Sequence, residues 1–563
     1  MPADPPVSPA SAASAAPTVS EVVARVVADH TSEVFALMGN GNAFLTDALA
    51  RQGRVRTTAL RHEAGTVASA DAYHRVSRRI AVATTTYGPG YTNALTALAE
   101  AAASRTPLVF VVGAEPTAGP RPWDVDQEAM ATAAGALTLT VDAATPARTT
   151  TRAFALALAE RRPVVLAIPY DLAQAPAADE PAAPVAVPPA ALPVSDDAAL
   201  ARAVAALAGA ERPLVLAGRG ARAAAGELAA LVDRLGALTA SSAPARGTFA
   251  GRAYDLGVCG GFASEASGAL IRRADVVLVV GAGLNQFTTA FGTQFAADAV
   301  VVQVDVAGAP TNPRVDVFLR ADAGEAVAAL AAALAGHATP ARPWGGQAEE
   351  AAGSRTTFDR PAGDGQAPDG RLDPRSAMVE LDRVLPADRQ VISDGGHFIG
   401  WANYHLALPG PDRLTLVGTH FQAIGLGFPS AVGAVRARPE ATAVVVTGDG
   451  GGLMGLPDLH TLVLAARSAA VIVFNDACYG AEIHQYGSRG VDEAVMEIPG
   501  VSFADLAPGL GARGVRVDTM AALAAVQEWV DAGAEGTIVV DLRISREVVA
   551  PYIEEIIALT LVK

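Results

Sequence analysis

Ten short runs of β-branched and aliphatic residues punctuate this chain, most of them followed by alanine-rich, helix-forming stretches, and this alternation limits the fold most sharply. The runs lie at 79–86, 107–112 and 163–169, then at 213–217, 274–280 and 299–306, and then at 390–392, 443–447, 470–474 and 537–542. They are continuously apolar, as expected of strands covered on both faces, which means parallel sheets packed between helices. Two stretches interrupt the pattern. Residues 174–196 are dense in Pro and Ala and read as a semi-stiff linker. Residues 337–374 mix Gly, Pro, Asp and Arg without apolar periodicity. A chain of 563 residues exceeds one core. The expected architecture is therefore α/β, with three successive domains at 18–173, 197–336 and 375–550. The alanine content blurs the helix period, so helix ends are not placed closely.

Charge and cysteines narrow the function. The formal net charge is −16 with no long basic run, the wrong sign for nucleic acid or an anionic membrane surface. No uninterrupted apolar run reaches spanning length. The first 20 residues lack the positive start and apolar block of a signal peptide and read as a disordered tail. Cys259 and Cys478 lie too far apart to suggest a zinc site or disulfide framework, which points to a cytoplasmic protein.

The chemistry concentrates at 444–482. A strand at 444–447 runs into Gly448-Asp449-Gly450-Gly451-Gly452, and a strand at 471–474 runs into Asn475-Asp476-Ala477-Cys478-Tyr479-Gly480. Glycines after a strand let backbone N–H groups approach a phosphate. Two acidic residues at the ends of neighbouring parallel strands can meet where ligands bind in such sheets. Carboxylates and a diphosphate around one point call for a hard cation, of which Mg²⁺ is the natural one. The plainer reading of Gly-Asp-Gly is a turn.

Here the sequence resembles the thiamine-diphosphate family that contains acetolactate synthase, pyruvate decarboxylase and benzoylformate decarboxylase. Val432-Gly433, Pro439, Val444, Val446 and Gly448-Asp449-Gly450-Gly451 satisfy the family signature, and the resemblance extends over about residues 18–545. It implies a thiamine-diphosphate-binding fold in the first and third domains. It also implies Mg²⁺ ligands at Asp449, at Asp476 (where the family usually has Asn) and at the backbone carbonyl of Cys478. Asn475 is the competing second ligand. It implies that Glu63, in Arg61-His62-Glu63-Ala64-Gly65, hydrogen-bonds the aminopyrimidine ring, a task suited to a carboxyl of raised pKa. Gly88 and Asn93, in Tyr87-Gly88-Pro89-Gly90-Tyr91-Thr92-Asn93, match a turn beside it. Gly395, Gly396 and His397 fall where the family holds the diphosphate. Ile424 matches the apolar residue that bends the cofactor. In the plainer alternative, Ile424 is core and His397 an ordinary loop histidine.

The resemblance further implies a homodimer or homotetramer with active sites at the subunit interface. The central domain carries Gly218-Arg219-Gly220, Gly281-Ala282-Gly283 and Gly257-Val258-Cys259-Gly260-Gly261, and leaves FAD open there, although each dinucleotide fingerprint lacks its third glycine. After carbon dioxide leaves a 2-oxo acid, protonation gives an aldehyde, whereas addition to a second carbonyl gives a ligated product. Asn40 stands where pyruvate decarboxylases have an Asp, and no adjacent His pair exists. Glu482, three residues after Tyr479, matches their catalytic Glu, and Gln127 matches a pocket-lining Gln of the synthases. The balance favours an acetolactate-synthase-like carboligase acting on a pyruvate-like 2-oxo acid and a carbonyl acceptor. The alternatives are a non-ligating decarboxylase or lyase, and a non-catalytic cofactor-binding scaffold.

Overall fold

All ten apolar runs become strands, and they lie in three six-stranded sheets whose strand pairs are parallel throughout. The structure is a computed structural model that describes residues 16–178, 184, 191–340, 343–358 and 362–561. The first sheet contains β1 (Glu33–Ala36), β2 (Arg56–Ala59), β3 (Val82–Thr85), β4 (Val109–Ala114), β5 (Leu137–Thr140) and β6 (Val164–Pro169), in the order β2-β1-β3-β4-β6-β5. The second contains β7 (Pro213–Ala217), β8 (Leu238–Ser241), β9 (Asp255–Val258), β10 (Val276–Val280), β11 (Val300–Asp305) and β12 (Val317–Arg320), in the order β12-β11-β10-β7-β8-β9. The third contains β13 (Arg389–Ser393), β14 (Leu414–Leu416), β15 (Thr442–Gly448), β16 (Ser468–Asn475), β17 (Arg513–Val517) and β18 (Gly536–Arg543), in the order β14-β13-β15-β16-β18-β17. The first and third sheets therefore share one topology.

The chain divides into two units, one built on the first sheet and the other on the second and third together. The first unit opens with a capping box. The Thr18 hydroxyl accepts from Glu21 N–H and the Glu21 carboxylate accepts from Thr18 N–H, which starts the helix Val19–His30. Of the expected 20-residue tail, 1–15 lie outside the described residues, while Thr18 to Ser20 instead cap and begin this helix; part of the 174–196 linker also lies outside the described residues. The 337–374 stretch differs from its reading as a break. The indole of Trp344 is buried in the second sheet's core and its Nε1–H donates to Pro213 O at 2.9 Å. Together with the bonds that Ser264 and Ser267 make to Ser354, this aromatic ties down a segment that has no periodicity to read. No helix of the described residues is long and apolar enough to cross a membrane.

The strand order sets the position of the site. In the third sheet the chain leaves β13 for β14 on one side and returns to β15 on the other. The loops after β13 and β15 therefore splay apart and leave a crevice at the strands' carboxyl ends. The first sheet repeats this arrangement with β1 and β3. Val444, Val445 and Val446 of β15 are wholly buried. Each contributes roughly 1.5–3 kcal/mol of hydrophobic stabilisation, which makes a rigid base for the loop that follows.

Candidate active site

β15 ends at Gly448, and Asp449 at once begins the short helix Asp449–Met454. The glycines here make close approach feasible. A Cβ on Gly450 would lie 2.6 Å from Tyr479 Cε1, and one on Gly451 would lie 2.8 Å from Asp394 Oδ2. Register pairs Gly448 with Phe474, so Asp449 and Asp476 emerge from adjacent strands. Both are buried. Asp449 Oδ1 accepts from Gly450 N–H at 3.0 Å, whereas Oδ2 is buried with no hydrogen-bond partner among the described residues. Asp476 Oδ1 accepts from Cys478 N–H at 3.3 Å. Burial, and then the charge of Asp476, push the Asp449 carboxyl up to about 7. Burial pushes Asp476 up to about 6. Two carboxyls held this way are a site built for a positive charge.

Asn475, the competing residue, turns its amide to Val501 O and Asp541 Oδ1 instead. Ala477 is held at φ +61°, which turns the chain so that Tyr479 N–H bonds Met496 O and Ile498 N–H bonds Ala477 O. The C=O of Cys478 lies between these bonds and outside the ladder. Burial pushes its thiol up. Among the described residues no group of three or more His, Cys, Asp or Glu could hold a metal. A cation at Asp449 and Asp476 would thus complete its shell from backbone and ligand oxygens.

Asp394, at the end of β13, binds the loops together. Its carboxylate accepts from Gly395 N–H, Gly425 N–H and the Thr447 hydroxyl, and burial pushes it up to about 6. Asp394 directly precedes the Gly395-Gly396-His397 stretch, and its anchoring role had no signal in the sequence. Ile424 is not core: it is 42% exposed. Its Cδ1 lies 2.8 Å from where Gly395 would carry a Cβ, and its Cγ2 lies 3.2 Å from the same point on Gly451. His397 is buried. Its Nε2 accepts from Ala550 N–H at 2.8 Å, and burial drives its pKa to about 3, so the ring is neutral. Its ring lies 4.7 Å from that of His484, a pairing with no signal in the sequence. Tyr479 caps the helix Gly480–Tyr486, on which Glu482 is exposed.

In the first unit, Glu63 is the first residue of the helix Glu63–Ser77 and its Oε2 accepts from Asn93 Nδ2 at 3.1 Å. The loops after β1 and β3 meet at the switch point. Gly41 N–H bonds the Thr86 hydroxyl at 2.8 Å, and Asn40 Nδ2 bonds the Tyr87 hydroxyl at 2.7 Å. Gly88 holds φ +59°, and its N–H donates to Gln127 Oε1 at 3.4 Å. Gln127 Nε2 in turn donates to Gly113 O at 3.1 Å. With both ends of its amide engaged, Gln127 braces the glycine turn. Sequence reasoning missed Arg121, which bonds Asp124 through two nitrogens at 2.8 Å and stacks 4.1 Å over the Tyr87 ring. Met38 and Trp123 are 70% and 55% exposed in the two loops flanking Asn40 and Gly88.

Three family profiles match, one over most of each sheet. They are the thiamine pyrophosphate enzyme N-terminal TPP binding domain over 17–133, the central domain over 200–330 and the C-terminal TPP binding domain over 394–542. A probable 2-ketoarginine decarboxylase of Pseudomonas aeruginosa is 31% identical over 82% of each chain. The chain belongs to the thiamine pyrophosphate enzyme family. A sulfoacetaldehyde acetyltransferase of Alcaligenes xylosoxydans xylosoxydans is 28% identical to this thiamine pyrophosphate enzyme, over 93% of this chain and 92% of its own. An acetolactate synthase large subunit of Parasynechococcus marenigrum is 28% identical, over 83% and 77% respectively. In the central domain of this family member, the Gly-x-Gly turns are used on each other. Gly218 N–H bonds Val280 O, Gly220 N–H bonds Gly281 O and Gly281 N–H bonds Val304 O. Those three amides are closed to a flavin diphosphate.

Proposed function

We propose that this chain decarboxylates a pyruvate-like 2-oxo acid and joins the remaining fragment to a second carbonyl, using thiamine diphosphate and Mg²⁺. The observation behind the cofactor site is the unpartnered Asp449 Oδ2 beside Asp476, in a glycine-rich loop at the carboxyl end of β15. Thiamine diphosphate, when bound, supplies the electron sink for loss of carbon dioxide. Asp449, Asp476 and the Cys478 carbonyl would hold the metal. Gly395, Gly396, Gly448, Gly450 and Gly451 would let phosphate oxygens close on the backbone, and Ile424 would support the ring system. Glu63, kept in place by Asn93, would hold a proton at its carboxylate against the aminopyrimidine. Asn40, Gly88 and Tyr479 complete the wall on their respective units.

Ligation is favoured because the relay that would protonate the fragment is incomplete. Asn40, where pyruvate decarboxylases have an Asp, is an amide bonded to the Tyr87 hydroxyl, and the sequence has no adjacent His pair. A second reading, aldehyde release, draws on Glu482, exposed on the helix that also carries His484 against His397. Mass spectrometry of products from a panel of 2-oxo acids, with and without aldehyde acceptors, separates the two. Ligated product should exceed aldehyde, and Glu482→Gln should change the product ratio more than the total turnover. An enzyme that releases only aldehyde, and stops when Glu482 is changed, belongs to the second reading. A homodimer or homotetramer is part of the proposal, supported by apolar side chains exposed at Val491 and Val495. A monomer in light scattering with cofactor bound would count against it.

A further inference from the structure

The chain after β18 folds back over the turn that follows β13. Ala550 is fully buried, and its N–H donates to His397 Nε2 at 2.8 Å. That bond makes Nε2 the acceptor and places the ring proton on Nδ1. Two residues on, the buried Tyr552 hydroxyl donates to Gly396 O at 2.8 Å and lies 3.3 Å from His397 O. The contact is made to fit: a Cβ on Gly400 would lie 3.0 Å from Ala550 Cβ and 3.2 Å from Tyr552 Cδ1. Tyr552 is itself anchored. Its N–H donates to the Tyr404 hydroxyl at 3.3 Å, and that hydroxyl donates to Gly261 O of the central domain at 3.2 Å. The Phe262 ring packs 5.1 Å from Tyr552 and 6.1 Å from Tyr404. The glycine-rich stretch ending at Gly261 therefore has a use that needs no nucleotide. Gly260 could carry no side chain, since a Cβ there would lie 1.8 Å from Phe287 O, and Gly261 N–H bonds that same oxygen.

We propose that residues 550–553 form a strap that holds the 395–397 turn in the shape that receives the diphosphate, with Tyr552 and His397 as positioning residues and the 260–262 turn as the anchor. Gly396 sits at φ +142°, a conformation natural to glycine, and its carbonyl accepts from two donors, Ile399 N–H at 3.1 Å and the Tyr552 hydroxyl. Tyr552 adds the second, shorter bond, which together with the first fixes the peptide plane between Gly396 and His397 and so the direction of the next N–H. A turn fixed before the ligand arrives loses less freedom on binding, and the gain appears as affinity. The inference rests on the reading that Gly395 and Gly396 face the diphosphate.

The test uses the full-length protein at saturating Mg²⁺, with the thiamine diphosphate dissociation constant read by calorimetry and the melting temperature read without cofactor. Tyr552→Phe and His397→Ala should each weaken cofactor binding by about tenfold, the scale of one lost hydrogen bond. His397→Gln, whose amide oxygen can still accept from Ala550 N–H, should restore most of the affinity. The cofactor-free melting temperature of Tyr552→Phe should stay near the parent value. Gly395→Val, which grows a side chain toward Ile424, is the separate check on the turn. If Gly395→Val loses the cofactor while Tyr552→Phe and His397→Ala bind it as the parent does, the strap is wrong and the turn stands. If all three bind normally, the turn is not the diphosphate site and the strap falls with it. A lower cofactor-free melting temperature with unchanged affinity would make the strap purely structural and also overturn the proposal.

Discussion

Asp449→Ala should abolish metal-dependent binding of thiamine diphosphate, weakening it by at least about a hundredfold, because the lost carboxylate is half of the protein's charge on the cation. Asp476→Asn should keep the metal with a loss smaller than about tenfold, since an amide oxygen still serves as a ligand. Calorimetric titration of both variants with Mg²⁺ and cofactor makes the comparison. Full activity of chelated, metal-stripped protein would remove the metal from the proposal altogether. The same pair of carboxyls gives a pH signature. In the folded, metal-free protein Asp449 titrates near 7, pushed up by burial and by Asp476, against an ordinary carboxylate value of about 3.9 unfolded. The folded state thus binds this proton more tightly. Its contribution to stability is complete below about pH 4 and is lost as pH rises toward 7. A bound cation takes the proton's place, so Mg²⁺ with cofactor should raise the melting temperature more at pH 7.5 than at pH 5.5. An equal or larger rise at the lower pH would mean that the cation does not bind at Asp449.

Glu63→Gln should lower turnover by about a hundred- to ten-thousandfold, the range for losing a positioned general acid or base. Cofactor affinity should change only a few-fold. Gln is isosteric and can still meet the Asn93 amide that now donates to Glu63 Oε2, so the helix start at Glu63 should survive. What it cannot do is give and take a proton. Exchange of the thiazolium C2 proton into deuterated water, followed by NMR on the bound cofactor, isolates that step from substrate binding. Exchange at the parent rate in Glu63→Gln would assign proton transfer to another group.

The inner strands were legible because a buried parallel strand writes itself as an unbroken apolar run. Val444, Val445 and Val446, or the fully buried Pro213–Ala217, need no partner to be recognised. The eight strands without such a signal include all six sheet edges: β2, β5, β9, β12, β14 and β17. Edge strands are short and half exposed, as in Arg56–Ala59 and Leu137–Thr140, so only pairing defines them. The motifs that make Asp449, Asp476 and Glu63 candidates were also legible, since each stands beside a strand or helix start. The choice between Asn475 and Asp476 was not, because it depends on which side of the β16 end each side chain takes. Nor was the commitment of Gln127 to Gly88 and Gly113, the contact of His397 with His484, or the hold of Tyr552 on Gly396. His397 and Ala550 are 153 residues apart, and no periodicity carries over that distance. Sequence pattern determines what each strand and loop can be. Which loops meet, and therefore which polar groups are already satisfied, is settled only when the strand order brings their ends to one crevice.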